Sequence, residues 1–343
     1  MFRFNNDYNI GAIPEILEAF NKTNGKAYAG YGLDECSKKA AKLIKERLKA
    51  KNSDVHLLIG GTQTNFVVID SVLKPYEGVI SADTGHIEVH ECGAIESCGH
   101  KILTVPHKDG KISAAQVAKV AQDYKDSTIP EHITVPRMVY ISFPTEYGTI
   151  YSKKELSDLY KVCKKYKLYL YIDGARLSYG LGAKGNDLKF EDFAKLCDAF
   201  YIGGTKCGAL FGEALVINND ELKPYFRNMM KQNGAILAKG WLLGLQFIEL
   251  FKDDRYFKLG KEADLKADKI RAAFLKKKQK LFIPNKTNQV FVILDNRMMK
   301  KLSKNFIFEF EETVDKNHTC VRFCTSWASS DEAVDALVKE ILN

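Results

Sequence analysis

The stretch FYIGGTKCGALFGEALV, Phe200–Val216, sets a lysine, Lys206, in an apolar run just after Gly203, Gly204 and Thr205. Lysine is strongly hydrated and is seldom buried without a partner. Glycines at this point let the backbone come close to something. A solvated loop lysine and a Schiff-base lysine both fit these neighbours. Asp173 ends another apolar run, LYLYIDGARL. A carboxylate there is costly unless a cation pairs with it. Arg176, three residues on, can supply part of that partnership, and a protonated ring nitrogen could supply the rest. A helix-capping Asp with a structural ion pair is the alternative. A third stretch, HLLIGGTQTN, places Gly61, Thr62 and Gln63 where a strand gives way to a helix. Free N–H groups at a helix start suit a phosphate. Neither a Walker motif nor the dinucleotide glycine fingerprint is present.

The stretch HIEVHECGAIESCGH holds His86, His90, Cys92, Cys98 and His100. It has neither the order of zinc peptidases nor the paired cysteines of structural zinc, so no metal is expected. His86, just past VISAD, is better read as a stacking or acid–base histidine. In CVRFCTSW, Arg322 sits inside an apolar run, where a guanidinium wants a carboxylate or phosphate, in a ligand or in the chain itself.

Parallel strands could carry these groups. Candidate strands are His56–Gly60, Gly78–Asp83, Ile102–Pro106, Arg137–Phe143, Leu168–Gly174, Asp198–Gly204 and Glu213–Asn218. Several are continuous apolar runs, as expected of strands buried on both faces of a largely parallel sheet. Amphipathic segments alternate with them. Ser152 with Glu155 three residues on reads as a capping box. The α/β rhythm predicts a mostly parallel sheet covered by helices, with ligands at the carboxyl ends of its strands. After about residue 250 the pattern shifts to a long charged helix, two strands and a last helix. The expected division is 1–250 for an N-terminal arm plus large α/β domain, and 251–343 for a small α+β domain.

The chain has 343 residues and a net charge of +8. Its lysine runs, such as Lys276–Lys280, read as solvated helix faces, and no nucleic-acid-binding signature accompanies them. The eight cysteines show no disulfide framework. No apolar run could span a membrane, and a cytoplasmic protein is expected.

The ordered set GGTQTN, DTGHIEVHECGAIE, TEYGTIYS, YIDGARL, GGTKCGALFGEALV, KQNGAILAKGWLLGLQF and VRFCTSW resembles the low-specificity L-threonine aldolases. These lie in the β-eliminating lyase branch of the fold-type-I pyridoxal-phosphate (PLP) enzymes. The resemblance implies that Lys206 bonds PLP, with its two glycines clearing space for the ring. Asp173 would pair with the pyridine nitrogen, and Arg176 would lie near the phenolic oxygen. Gly61, Thr62, Gln63 and Thr205 would bind the phosphate side. His86 would stack on the ring and move a proton at the substrate hydroxyl. Arg322 would grip the substrate carboxylate, helped by Asn6. Lys231 would reach the phosphate of a neighbouring subunit in a homodimer or homotetramer.

The implied reaction is retro-aldol cleavage of threonine or allo-threonine to glycine and acetaldehyde. The sequence departs from the family's pattern at Asn9, Ile10 and Ile13, where a Ser-Glu-Gly-Ala-His run is usual, and at Asn233, where Arg is frequent. Both changes bear on substrate preference. β-Elimination or transamination of another amino acid is the alternative within PLP chemistry. A non-catalytic PLP-binding or nucleic-acid-binding protein would leave the set of His86, Asp173, Lys206 and Arg322 unexplained.

Overall fold

The computed structural model describes all 343 residues. The chain opens with a short strand, β1 (Phe2–Arg3). Seven strands then build the central sheet: β2 (Asp54–Leu58), β3 (Glu77–Ala82), β4 (Lys101–Val105), β5 (Val135–Ser142), β6 (Tyr169–Asp173), β7 (Ala199–Gly203) and β8 (Glu213–Ile217). Their spatial order is β2-β8-β7-β6-β5-β3-β4. Neighbours from β7 to β4 run parallel, and β8 alone runs antiparallel to both its neighbours.

The apolar runs are explained by burial on both faces. Ile80, Val139, Ile141, Leu170, Ile172, Phe200, Ile202 and Val216 point into one core. The alternate residues Val79, Met138, Tyr140, Tyr171, Tyr201 and Leu215 point into a second core on the opposite face. The helix Lys153–Tyr166 starts where its sequence says it should. The Ser152 hydroxyl accepts from the Glu155 N–H, while Glu155 accepts from the Ser152 N–H.

The C-terminal region adds β9 (Lys280–Leu281), β10 (Gln289–Asp295), β11 (Phe306–Ile307), β12 (Glu309–Thr313) and β13 (His318–Cys324). The sheet β12-β13-β10-β9 is antiparallel and packs on the long helix Arg255–Lys276 and the last helix Asp331–Leu342. The N-terminal arm joins this region: β1 pairs with β11, and Phe4 enters the same core. From there the arm carries Asp7 and Tyr8 to the edge of the large sheet.

Because β3, β6 and β7 are parallel, their carboxyl ends share one edge. His86 follows β3, Asp173 ends β6, and Lys206 follows β7. Two glycines make this edge possible. A Cβ on Gly174 would lie 1.9 Å from the Tyr201 carbonyl oxygen, and one on Gly203 would lie 2.2 Å from that of Ala175. Gly204 faces the Gly212 carbonyl oxygen, 2.4 Å from an added Cβ. The glycines before Lys206 are therefore required by the close approach of neighbouring backbones.

Candidate active site

Two cavities meet at Lys206. One, of about 260 Å³, is lined by Gly61, Thr62, His86, Asp173, Thr205 and Glu213 among others. The second, of about 530 Å³, is lined by Tyr8, His86, His90, Glu146, Arg176 and Arg322 among others. His86 and Lys206 line both. Lys206 makes no ion pair, and its amine stands 5.9 Å from the Tyr8 ring centroid. Burial, then the Arg176 charge, pulls its ammonium below the ordinary lysine value, against the pull of Asp7, Asp173 and Glu213. A lysine depressed in this way is a better nucleophile at neutral pH.

Asp173 is buried and fully engaged. Its Oδ1 accepts from the Ala175 N–H at 2.9 Å, and its Oδ2 accepts from Asn65 Nδ2 at 3.0 Å and the Tyr140 hydroxyl at 2.7 Å. Burial raises its pKa, but the His86 charge and the hydrogen bonds from Asn65 and the Ala175 N–H outweigh that, and the net shift is downward. Asp173 is an anion across the neutral range. It is more than a helix cap, because its partners come from three separate segments.

His86 is held from two sides. Its backbone N–H donates to Glu146 Oε1 at 2.9 Å, and its Nδ1 lies 2.7 Å from Glu91 Oε1. Glu91 is fully buried and also accepts from Asn65 Nδ2 at 2.7 Å. Asn65 thus links the partner of His86 to Asp173. A carboxylate accepting from Nδ1–H keeps the ring proton on that nitrogen and leaves Nε2 as the free acceptor. His90 stands 5.4 Å from His86, ring to ring. Burial, then the charges of His86 and Arg322, holds it below the ordinary histidine value. Farther along the same stretch, His100 turns to Asp70 at 3.6 Å.

Gly61 opens the helix Gly61–Val72. The N–H groups of a helix's first turn have no intrahelical partner, and here they open on the smaller cavity beside Thr205. The Thr205 hydroxyl donates to Glu213 Oε1 at 2.7 Å and accepts from the Gly212 N–H. Burial pushes the Glu213 carboxyl up to about 8 against the hydrogen bonds from Thr205 and Gly204.

Arg176 lines the larger cavity and is gripped by the arm: its Nε and Nη2 donate to Asp7 at 2.7 and 3.0 Å. Asn288 Nδ2 donates to the same carboxylate at 2.8 Å. Burial raises the Asp7 pKa, but Arg176 and Lys206 win and hold it low. Other expected residues lie outside the cavities. Asn6 accepts from the Tyr8 N–H, so the arm lines the cleft through Tyr8. The Gln63 side chain donates to the Asn233 carbonyl oxygen at 3.4 Å, and Gln63 does not line the smaller cavity. Lys231 is exposed, 4.7 Å over the Tyr31 ring.

Sequence reasoning missed Asp7, Asn65, Glu91, Tyr140, Glu146 and Glu213. Asn65 and Glu91 lay within motifs already singled out, GGTQTN and HIEVHE, and a buried polar residue beside a candidate site is a usable signal. Tyr140 shares a face of β5 with Ser142, which is in register with Asp173. Asp7 carried no signal, as its meaning depends on Arg176, 169 residues away.

Known proteins resemble this chain over nearly its whole length. A low-specificity L-threonine aldolase from a Pseudomonas species is 29% identical over 342 residues, spanning 99% of this chain and 96% of its own length. A solved threonine aldolase from Leishmania major superposes with a TM-score of 0.97 at 43% identity, over 99% of this chain and 98% of that one. An aspartate aminotransferase from Thermus thermophilus superposes with a TM-score of 0.70 at 14% identity, over 99% of this chain and 95% of that one. This last likeness concerns the fold alone, which is the fold-type-I arrangement of PLP enzymes. The family described as beta-eliminating lyase matches residues 20–296, and the chain belongs to that family.

Proposed function

We propose that this chain is a PLP-dependent aldolase that cleaves L-threonine, L-allo-threonine or a related β-hydroxy amino acid to glycine and an aldehyde. One observation carries the reading. An unpaired, pKa-depressed lysine stands where two cavities meet, with a buried anion and a helix start in one and an arginine in the other.

PLP suits the smaller cavity by the chemistry of its donors. Lys206 would supply the amine for the cofactor's carbonyl carbon. Asp173 would keep a proton on the ring nitrogen. The N–H groups of Gly61, Thr62 and Gln63, with Thr205, would hold the phosphate. When bound, PLP would supply an electron sink for the pair left at Cα as the Cα–Cβ bond breaks. Arg322 takes the substrate carboxylate through its terminal nitrogens and so sets the orientation of the bonds at Cα. His86 would pack on the ring. With Nδ1 committed to Glu91, its Nε2 takes the β-hydroxyl proton as the Cβ–O bond becomes a carbonyl.

Arg176, neutralised by Asp7, would border the phenolic oxygen. Tyr8 and Ile59, at the mouths of the two cavities, are 56% and 41% exposed. Exposed apolar side chains at the cavities suit cover by a second copy, in a homodimer or homotetramer in which Lys231 would reach the neighbouring phosphate. No helix is long and apolar enough to cross a membrane. Eight free cysteines, six of them buried, support a reducing, cytoplasmic setting.

The purified holoenzyme given L-threonine should release glycine and acetaldehyde in equal amounts. Pyruvate with ammonia, or a keto acid without glycine, would replace this reading with elimination or transamination. His86→Phe keeps a ring to stack and removes the base. Turnover should fall by about 10²–10⁴-fold while the cofactor stays bound, measured by cofactor absorbance and acetaldehyde release. Wild-type turnover in that variant would take His86 out of the chemistry.

A further inference from the structure

Arg322 has a partner that no role above explains. Strand β12 pairs antiparallel with β13, matching Glu309 with Arg322 and Phe310 with Val321. The next pair is Glu312 with Cys320, so Glu311 is the extra residue of a β-bulge. Bulges re-aim side chains and are over-represented beside active sites. The effect is visible along this strand: Glu309, Phe310, Glu312 and Thr313 are exposed, and Glu311 alone turns inward. Its Oε1 lies 3.2 Å from Arg322 Nε. Both atoms are shielded from solvent and neither makes a hydrogen bond, so the contact is an ion pair of buried, otherwise unpartnered groups. Both residues line the larger cavity beside Lys206. The terminal nitrogens of Arg322 make no hydrogen bond within the chain, which leaves them for the cleft.

We propose that Glu311 is a positioning residue. It holds Arg322 by Nε, so that the two terminal nitrogens form a fixed fork for the substrate's α-carboxylate. This rests on the reading of Arg322 as the carboxylate anchor. Lone arginine side chains sample many rotamers, and a carboxylate on Nε removes that freedom before substrate arrives. The bulge is what makes the contact possible without burying a second charge of β12.

The test compares Glu311→Ala, Glu311→Gln and Arg322→Gln as holoenzymes. Glu311→Ala should raise KM for L-threonine by about tenfold or more, the scale on which an outer partner acts on the group it orients. Its kcat should stay within about twofold, since the group acts on binding rather than on the reacting atoms. Glu311→Gln keeps the shape of the side chain beside Nε but removes its charge, and should recover only part of the loss. Glycine and 1-amino-2-propanol, which lacks a carboxylate, are then titrated by the change in cofactor absorbance. Glu311→Ala should weaken glycine and leave the amino alcohol unchanged. Equal weakening of both ligands would overturn the proposal. An unchanged or lowered KM in Glu311→Ala, with a raised KM in Arg322→Gln, would also overturn it while keeping the anchor. An unchanged KM in Arg322→Gln would instead remove the anchor reading, and the proposal with it.

Discussion

Lys206→Ala will give a colourless protein that releases no detectable acetaldehyde from L-threonine. The amine is the group that bonds the cofactor's carbonyl carbon, and no other lysine lines either cavity. Arg176 is the other cation close to Lys206, and as a guanidinium tied to Asp7 it cannot substitute as a nucleophile. Folding should survive the change. Lys206 makes no ion pair, and burial already disfavours its charge, so its removal relieves a cost instead of breaking a network. The check is visible absorbance, single-turnover product release and thermal melting on one preparation. Retained colour with a normal rate would remove Lys206 from the chemistry.

Asp173→Asn should lower turnover by about 10²–10³-fold, the scale of losing one preorganised electrostatic partner of a developing charge. The neutral amide cannot keep a proton on the ring nitrogen. The substitution also disturbs its surroundings. Asn65 Nδ2 and the Tyr140 hydroxyl both donate to Asp173 Oδ2, and an amide placed there confronts at least one donor with its NH₂ or loses the Ala175 bond. An unmade buried hydrogen bond costs about 1–3 kcal/mol, so a small fall in melting temperature should accompany the loss of rate. The pH dependence has a definite sign. The native pKa of Asp173 lies below its ordinary value of 3.8. The stability this carboxylate contributes is therefore present above about pH 4 and is lost as pH falls through the lowered native pKa. The mutant should lack that acid-side component. Rates equal to wild type would reduce Asp173 to a structural residue.

Much of this was legible in the sequence because it depends on near neighbours. The apolar runs marked all seven strands of the sheet to within about two residues, most plainly the inner strands β3, β5, β6, β7 and β8, where burial on both faces leaves little polar alternation to blur them. Ser152 and Glu155 marked a helix start because a capping box closes within four residues. Lys206, Asp173, His86 and Gly61 were picked out by one physical rule, that a polar or glycine residue at the end of a buried strand needs a reason.

The tertiary structure decided the rest. It brought His86, Asp173 and Lys206 to one edge because β3, β6 and β7 are parallel, and it set Asn65 between Glu91 and Asp173, 26 and 108 residues away. It tied Asp7 to Arg176 across 169 residues and aimed Glu311 at Arg322 through a bulge. It also identified what the glycines before Lys206 approach, the backbone carbonyls of Ala175 and Gly212. A lone carboxylate such as Asp7 or Glu311 has the same local appearance whether it is solvated or clamped on an arginine. Its partner is chosen by strand order and register, which appear only when the whole chain is packed.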